Sequence, residues 1–147
     1  MDSGSTVILL VEDNPDDEAM TLEALKSNGL GNSVVVARDG AEALDYLYGK
    51  GVHAGRDASV VPAVVLLDLK LPKVDGLRVL TRIRSEEATR TLPVVVLTSS
   101  DEQKDLVESY SLGVNGYVRK PVEFSELVEA VRQLGIYWSS IRHDRPR

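Results

Sequence analysis

Short apolar runs alternate along this chain with segments of mixed polarity. Four runs are rich in β-branched residues and nearly continuous, without the polar–apolar alternation of a half-exposed strand: residues 7–11, 34–37, 64–67 and 94–97. Strands have this composition when helices cover both faces of a parallel sheet. A weaker fifth run lies at 116–118. The pattern therefore predicts five strands, most of them buried on both sides.

The segments between these runs carry apolar side chains at the spacing typical of helices. Segment 15–28 opens with Pro-Asp-Asp-Glu, places Ala19, Leu22 and Leu25 on one face, and stops at Gly29. Proline and acids in a first turn, and glycine after a last turn, are ordinary helix boundaries. Further helices are predicted at 41–48, 77–83 and 101–112, and a last one after Ser125, which can cap it.

Strand and helix thus alternate five times. Such alternation predicts an α/β fold, an open parallel five-stranded sheet with helices on both faces. Segment 49–62 (GKGVHAGRDASVVP) is rich in glycine and charge and is predicted to be a long surface loop. We expect a single domain over residues 6–142, with flexible ends at 1–5 and 143–147.

Polar residues follow the predicted strands at the edge where parallel-sheet proteins bind ligands. The first strand runs into Glu12 and Asp13, the third into Asp68, the fourth into Thr98 and the fifth into Lys120. Ligand sites in open parallel sheets lie at the carboxyl ends of the strands, so these side chains are predicted to converge.

A cluster of carboxylates needs a compensating cation, because like charges repel and burial raises their cost. Oxygen ligands without histidine or cysteine favour Mg²⁺. Lys120 would add a second positive charge, and Thr98 could donate a hydrogen bond to a phosphoryl group. Since a carboxylate can attack phosphorus, the pattern favours an aspartyl-phosphate site at Asp68.

Each of these signals is weak alone. Acidic residues after a strand are often solvated turn residues, and a Lys-Pro pair is more often a turn than a site. Their joint occurrence, all at strand ends and on one edge of the sheet, is what favours the functional interpretation.

Composition narrows the classes of function. The net charge of -6 disfavours nucleic-acid binding through a basic surface, and the absence of cysteine excludes disulfides and thiol chemistry. The apolar run at 7–11 is too short to span a membrane and is followed by two acids. We therefore expect a cytoplasmic protein without a membrane or nucleic-acid partner.

The site residues carry a resemblance to response-regulator receiver domains, the phosphoacceptor partners of sensor histidine kinases. The matching segments are ILLVEDNPDD, VARDGAEALDYL, VVLLDLKLPKVDGLRVL, PVVVLTSS and GVNGYVRKP. The resemblance implies a flavodoxin-like sheet of strand order 2-1-3-4-5. The 49–62 insertion and the tail IYWSSIRHDRPR are similar to small stand-alone regulators that accompany cyanobacterial and bacterial phytochrome kinases.

The resemblance also implies roles for individual residues. Asp68 is the expected phosphoacceptor of a phosphorelay. The expected Mg²⁺ site consists of Glu12 through a water, Asp13, Asp68 and the backbone carbonyl of Lys70. Residues that bind the phosphoryl group or switch with it are Thr98, Tyr117, Lys120 and Pro121. The protein would be a phosphoacceptor switch rather than an enzyme, although it assists its own phosphotransfer and dephosphorylation.

The end of the chain is richer in apolar residues than one core-facing stripe requires. Tyr137, Trp138 and Ile141 extend the apolar pattern of the last helix. Clusters with Tyr and Trp often mark interfaces, so we expect a homodimer through the C-terminal helix region.

Two rival classes are weaker. A phosphatase with an aspartate nucleophile places a second acid two residues later, where this chain has Lys70. A nucleotide- or flavin-binding module needs a phosphate cradle after the first strand, where this chain has acids.

Overall fold

Strands and helices alternate along the chain as the sequence predicts. The structure, a computed structural model, describes residues 7–26, 34–71, 73–98 and 103–120, and the positions 125, 126 and 129. A 3-10 turn at Gly51–His53 follows the second helix. The strands are β1 (Ile8–Val11), β2 (Val34–Ala37), β3 (Val64–Asp68), β4 (Val94–Thr98) and β5 (Gly116–Arg119). The helices are α1 (Pro15–Lys26), α2 (Gly40–Tyr48), α3 (Gly76–Ser85) and α4 (Gln103–Ser111).

The five strands form one parallel sheet in the order β2-β1-β3-β4-β5, which confirms the predicted fold. The chain runs outward from β1 to β2 and then crosses to β3 on the other side of β1. The strand order therefore reverses between β1 and β3, where open α/β sheets bind their ligands. The register pairs Val11 with Leu67 and Asp68 with Leu97, so the strands end level with one another.

The core lies on both faces of the sheet, which explains why the central strands are continuously apolar. Alternate residues of β1, β3 and β4 pack on one side with α2 and α3, and the intervening residues pack on the other side with α1. All four residues of β1 are 0% exposed. A strand buried on both faces has no position for a polar side chain until it ends, and this places its first polar residues at the carboxyl edge.

Helix α1 buries a face that differs in part from the predicted one. Its two predicted leucines pack against the core, but Ala19 is exposed, and Thr21 and Ala24 are buried in addition. Burial of a side chain as small as alanine contributes little free energy, so the position of Ala19 does not determine which face of the helix is buried. The predicted end of this helix, at Asn28, lies outside the described residues.

The loop between β3 and α3 packs tightly against the end of β3. Helix α3 begins at Gly76, directly after Asp75 and one residue before its predicted start. A Cβ atom at Gly76 would lie 2.3 Å from the Asp68 carbonyl oxygen and 2.5 Å from the Leu69 Cα. Only glycine permits this approach, which fixes the backbone that follows Asp68.

Segment 49–62 is organised around one arginine. The Arg56 guanidinium lies 4.1 Å from the Tyr46 ring centre and donates to the carbonyls of Tyr46, Leu47 and Val60 at 2.6, 3.3 and 2.8 Å. These contacts attach the segment to the end of α2. None of the described helices is long and apolar enough to cross a bilayer. The predicted C-terminal dimer segment lies outside the described residues.

Candidate functional site

The candidate site lies at the carboxyl edge of the sheet, where β1, β3 and β5 end. Glu12 directly follows β1, Asp68 is the last residue of β3, and Lys120 directly follows β5. Because these strands are parallel and end level, three residues that are far apart in sequence meet in space. The structure thus brings together the acids and the lysine that the sequence pattern singled out.

Three carboxylates form the acidic part of the site. One oxygen from each of Glu12, Asp13 and Asp68 lies within 4.8 Å of the others. Glu12 is 0% exposed and Asp68 is 3% exposed, whereas Asp13 is exposed to solvent. The acidic pocket therefore has two buried carboxylates and one that is exposed to solvent.

Both carboxylate oxygens of Asp68 accept hydrogen bonds. The backbone N–H of Lys70 donates to Oδ1 at 3.0 Å, and the Lys120 ammonium donates to Oδ2 at 2.8 Å. The side chain of Lys70 is exposed. The Asp68 carboxylate is consequently held in one orientation, with its second oxygen facing the lysine.

Lys120 contacts three carboxylates at once. Its Nζ lies 2.8 Å from Asp68 Oδ2, 2.8 Å from Asp17 Oδ2 and 3.0 Å from both carboxylate oxygens of Glu12. Its side chain is only 10% exposed. An ammonium this poorly hydrated needs acceptors for all its N–H groups, and the carboxylates supply them.

The charges of the site perturb one another. Burial raises the pKa of Glu12 to about 7, against the opposing effect of its hydrogen bond from Lys120, and the Asp68 charge raises it further. Burial by itself would lower the pKa of Lys120, but hydrogen bonds to Asp17, Asp68 and Glu12 outweigh it and raise that pKa. Negative charge is thus in excess around a single ammonium, and an additional cation would relieve it.

The residues fit a divalent metal ion. Glu12 Oε1 is buried and accepts no hydrogen bond from the residues that the structure describes, although it lies near the Lys120 ammonium. The donor atoms are all carboxylate oxygens, which suit hard cations. The oxygens of Glu12, Asp13 and Asp68 that lie within 4.8 Å of one another are therefore donors that such an ion could bind, directly or through a water.

Asp17 is a site residue that the sequence reasoning missed. Asn14 caps α1, since its Oδ1 accepts from the backbone N–H groups of Asp16 and Asp17 at 2.9 and 3.0 Å. The cap fixes the first turn of the helix and brings the Asp17 side chain to Lys120. The available signal was the Asn-Pro pair after Asp13, which marks a helix that starts at the strand end.

The structure describes the other predicted site residues only in part. Thr98 ends β4 opposite Arg119 of β5, but its side chain lies outside the described part of the structure. Pro121 also lies outside the described residues. Tyr117 is half-buried on β5, and its ring stacks on that of Tyr110 with the centres 6.1 Å apart.

This combination of fold and site defines the class of protein: a receiver-type domain, with a flavodoxin-like sheet and an acidic pocket beside a lysine. Residues 8–132 match the family of response regulator receiver domains. The chain therefore belongs to this family, whose members act in two-component signalling.

Individual relatives are similar over most of their length. The bacteriophytochrome response regulator AtBRR is 58% identical, with a TM-score of 0.76 over 89% of this chain and 93% of its own. The phosphorylated cyanobacterial phytochrome response regulator RcpA is 41% identical, with a TM-score of 0.75 over 90% and 93%. Response regulator Rcp1 of Synechocystis sp. is 37% identical over 90% of this chain and 88% of its own. Its Mn²⁺-bound structure has a TM-score of 0.75 at 36% identity, over 90% and 93%.

Proposed function

We propose that this protein is a stand-alone response regulator that accepts a phosphoryl group on Asp68 from a sensor histidine kinase. The observation that carries the proposal is the Asp68 carboxylate at the end of β3, 2.8 Å from the Lys120 ammonium and next to Glu12 and Asp13. Nucleophile, counter-charge and acidic pocket thus occupy one edge of the sheet. The similarity to the phosphorylated RcpA supports phosphorylation of this chain.

The proposed reaction is a transfer between two nucleophiles. An Asp68 carboxylate oxygen attacks phosphorus, the bond from phosphorus to the kinase's histidine nitrogen breaks, and that nitrogen keeps the electron pair. Lys120 neutralises charge on the transferred group, and the Lys70 N–H keeps the Asp68 carboxylate oriented. Catalysis of this kind is mainly positioning and charge neutralisation.

We further propose Mg²⁺ as the metal at this site, with Asp13, Asp68 and the Lys70 carbonyl as direct ligands and Glu12 acting through a water. When bound, Mg²⁺ supplies positive charge that offsets the carboxylates and the phosphoryl oxygens. The similarity to the Mn²⁺-bound Rcp1 and the all-oxygen donor set support a divalent ion here.

Phosphorylation would change the conformation of the protein and thereby its contacts with a partner protein. Thr98 and Tyr117 are the proposed switch pair, with Lys120 and Pro121 at the phosphoryl group, and the output would be altered contact with another protein. We propose a cytoplasmic protein that dimerises through its C-terminal helix region, without a nucleic-acid or membrane partner. The protein would turn over no separate substrate and would assist only its own phosphorylation and dephosphorylation.

The kinase partner that we propose is a bacterial phytochrome. The support is the similarity to AtBRR and RcpA, which are regulators of bacteriophytochrome and cyanobacterial phytochrome systems, over nearly the whole length of each. A purified bacteriophytochrome kinase that phosphorylates this chain faster than an unrelated histidine kinase would support the pairing.

Intact-protein mass spectrometry after incubation with acetyl phosphate tests the central proposal. With Mg²⁺ we expect the wild type to gain the mass of one phosphoryl group, and we expect hydroxylamine to remove it. Without Mg²⁺, or in Asp68→Asn, no adduct is expected, because the metal or the nucleophile is missing.

A matched control is Asp75→Asn, which changes an exposed carboxylate just before α3 to an amide. This variant should be phosphorylated like the wild type. A wild type that takes neither a phosphoryl group from acetyl phosphate nor beryllofluoride, a stable phosphoryl mimic, would contradict the proposed function.

A further inference from the structure

The Lys120 ammonium has as many acceptor groups as it has hydrogens. An ammonium offers three N–H donors, and Asp68, Asp17 and Glu12 each lie within 3.0 Å of Nζ. None of these donors is left for another anion while all three contacts persist. Any group that arrives at Asp68 and needs Lys120 must therefore displace one of the three carboxylates.

The three carboxylates differ in how readily they can lose the lysine. The Glu12 side chain is 0% exposed and that of Asp68 is 4% exposed, whereas the side chain of Asp17 is 24% exposed. A buried carboxylate that loses its cation pays a large desolvation cost, but a partly exposed one can be hydrated by water. Between the two acids that remain carboxylates when Asp68 carries the phosphoryl group, Asp17 is consequently the one that can be exchanged at the lower cost.

The position of Asp17 is fixed by the chain around it. The Asn14 side chain caps the first turn of α1 and accepts from the backbone N–H of Asp17 at 3.0 Å. The backbone N–H of Asn14 in turn donates to Glu12 Oε2 at 3.2 Å. The contact between Asp17 and Lys120 therefore follows from the cap that anchors α1 to the site.

We propose that Asp17 is a positioning residue that holds Lys120 in the unphosphorylated protein and competes with the phosphoryl group for the Lys120 ammonium. The proposal rests on the proposed function, since it concerns how the same site responds to a phosphoryl group. If Asp17 competes in this way, its carboxylate stabilises the unphosphorylated state, and the first turn of α1 shifts the phosphorylation equilibrium toward that state. Transfer of Lys120 from Asp17 to the phosphoryl group would leave the Asp17 carboxylate hydrated at the start of α1.

A purely structural role for Asp17 makes a different prediction. Acids in the first turn of a helix interact favourably with the helix dipole, and Asp16 and Asp17 both lie in that turn of α1. Asp16 is exposed and undergoes the same loss of charge when changed to asparagine. Asp16→Asn is therefore the control variant: it shows the effects of lost charge and of the helix dipole that do not involve Lys120.

Beryllofluoride binding, measured by isothermal titration calorimetry at saturating Mg²⁺, separates the two roles. We expect Asp17→Asn to bind beryllofluoride about fivefold more tightly than Asp16→Asn does, because one charge-assisted hydrogen bond no longer competes for Lys120. Asp17→Glu, which keeps the charge, should return the affinity toward that of the wild type. Damage to the site would instead weaken binding.

A second measurement needs no variant. In the wild type, the carboxyl ¹³C resonance of Asp17 should shift when beryllofluoride binds, as the carboxylate exchanges the ammonium for water, and that of Asp16 should move much less. Equal affinities for Asp17→Asn and Asp16→Asn, weaker binding by Asp17→Asn, or an unmoved Asp17 resonance would each overturn the inference. A wild type that does not bind beryllofluoride at all would instead overturn the proposed function.

Discussion

Two poorly solvated cations, Lys120 and Arg84, lie at opposite ends of the sheet and are held in different ways. Lys120, at the carboxyl edge, contacts three carboxylates. Arg84, near the end of α3, donates to backbone carbonyls. These carbonyls belong to Leu112 at 2.6 Å, Leu92 at 2.7 Å, Gly113 at 2.9 Å and Arg90 at 3.2 Å.

The two environments have opposite electrostatic effects. Burial lowers the pKa of Arg84, and the neutral carbonyls around it provide no charge that would reverse this effect. At Lys120 the carboxylates outweigh burial and raise the pKa. A cation among carbonyls joins segments of backbone, here the start of β4 and the turn after α4. A cation among carboxylates can be transferred to a new anion, so Lys120 can respond to a phosphoryl group. Arg84, bound to carbonyls at the other end of the sheet, is not expected to respond.

The largest expected effect is that of Lys120→Met on binding of a phosphoryl mimic. At saturating Mg²⁺ we expect its beryllofluoride affinity to fall by roughly a hundredfold, because the anion loses a charge-assisted hydrogen bond in a poorly solvated site. Calorimetric titration measures this change. Arg119→Met, which removes the neighbouring cation, is the control and should remain near wild type. An affinity of Lys120→Met within about threefold of the wild type would show that Lys120 does not bind the phosphoryl mimic as proposed.

Arg84→Met should show the reverse pattern. We expect it to lower the free energy of unfolding by about 2 kcal/mol, because several carbonyls lose a charged donor, while beryllofluoride affinity stays within about twofold. Urea denaturation followed by circular dichroism measures the first quantity. Arg78→Met, an exposed position on the same helix, should leave stability nearly unchanged. A large loss of beryllofluoride affinity in Arg84→Met would show that the two ends of the sheet are coupled.

The smallest expected effect concerns Thr89, in the loop before β4 that also provides two of the carbonyls that Arg84 contacts. Thr89 is 2% exposed, and its hydroxyl donates to the Ile83 carbonyl at 2.8 Å and lies 3.0 Å from the Tyr48 hydroxyl. Thr89→Ala should cost about 1 kcal/mol of stability, through loss of neutral hydrogen bonds alone. Thermal unfolding of this variant beside Thr91→Ala, an exposed threonine nearby, measures the difference. No difference between the two would show that the neutral contacts at this end contribute little.

Much of the fold was predictable because buried parallel strands have a distinctive sequence. The predicted run at 34–37 coincides with β2, and β3 and β4 each extend one residue beyond their predicted ends, to Asp68 and Thr98. The phase of α1 was less predictable, since its buried face includes the polar Thr21 and excludes Ala19. Continuous apolar runs carry a strong signal, whereas a helix with few large apolar residues carries a weak one.

The sequence by itself determined the order of strands and helices and the polar residues at which the central strands end. A strand covered on both faces excludes charge along its length, so Glu12 and Asp68 stand out in the chain before any contact is known. Only the tertiary structure decided that Asp17 shares Lys120 with them and that, among the described residues, Arg84 donates to backbone carbonyls. Those contacts join residues far apart in sequence, and they depend on the angle at which α1 leaves its cap and on where distant turns meet. Local pattern does not contain these quantities.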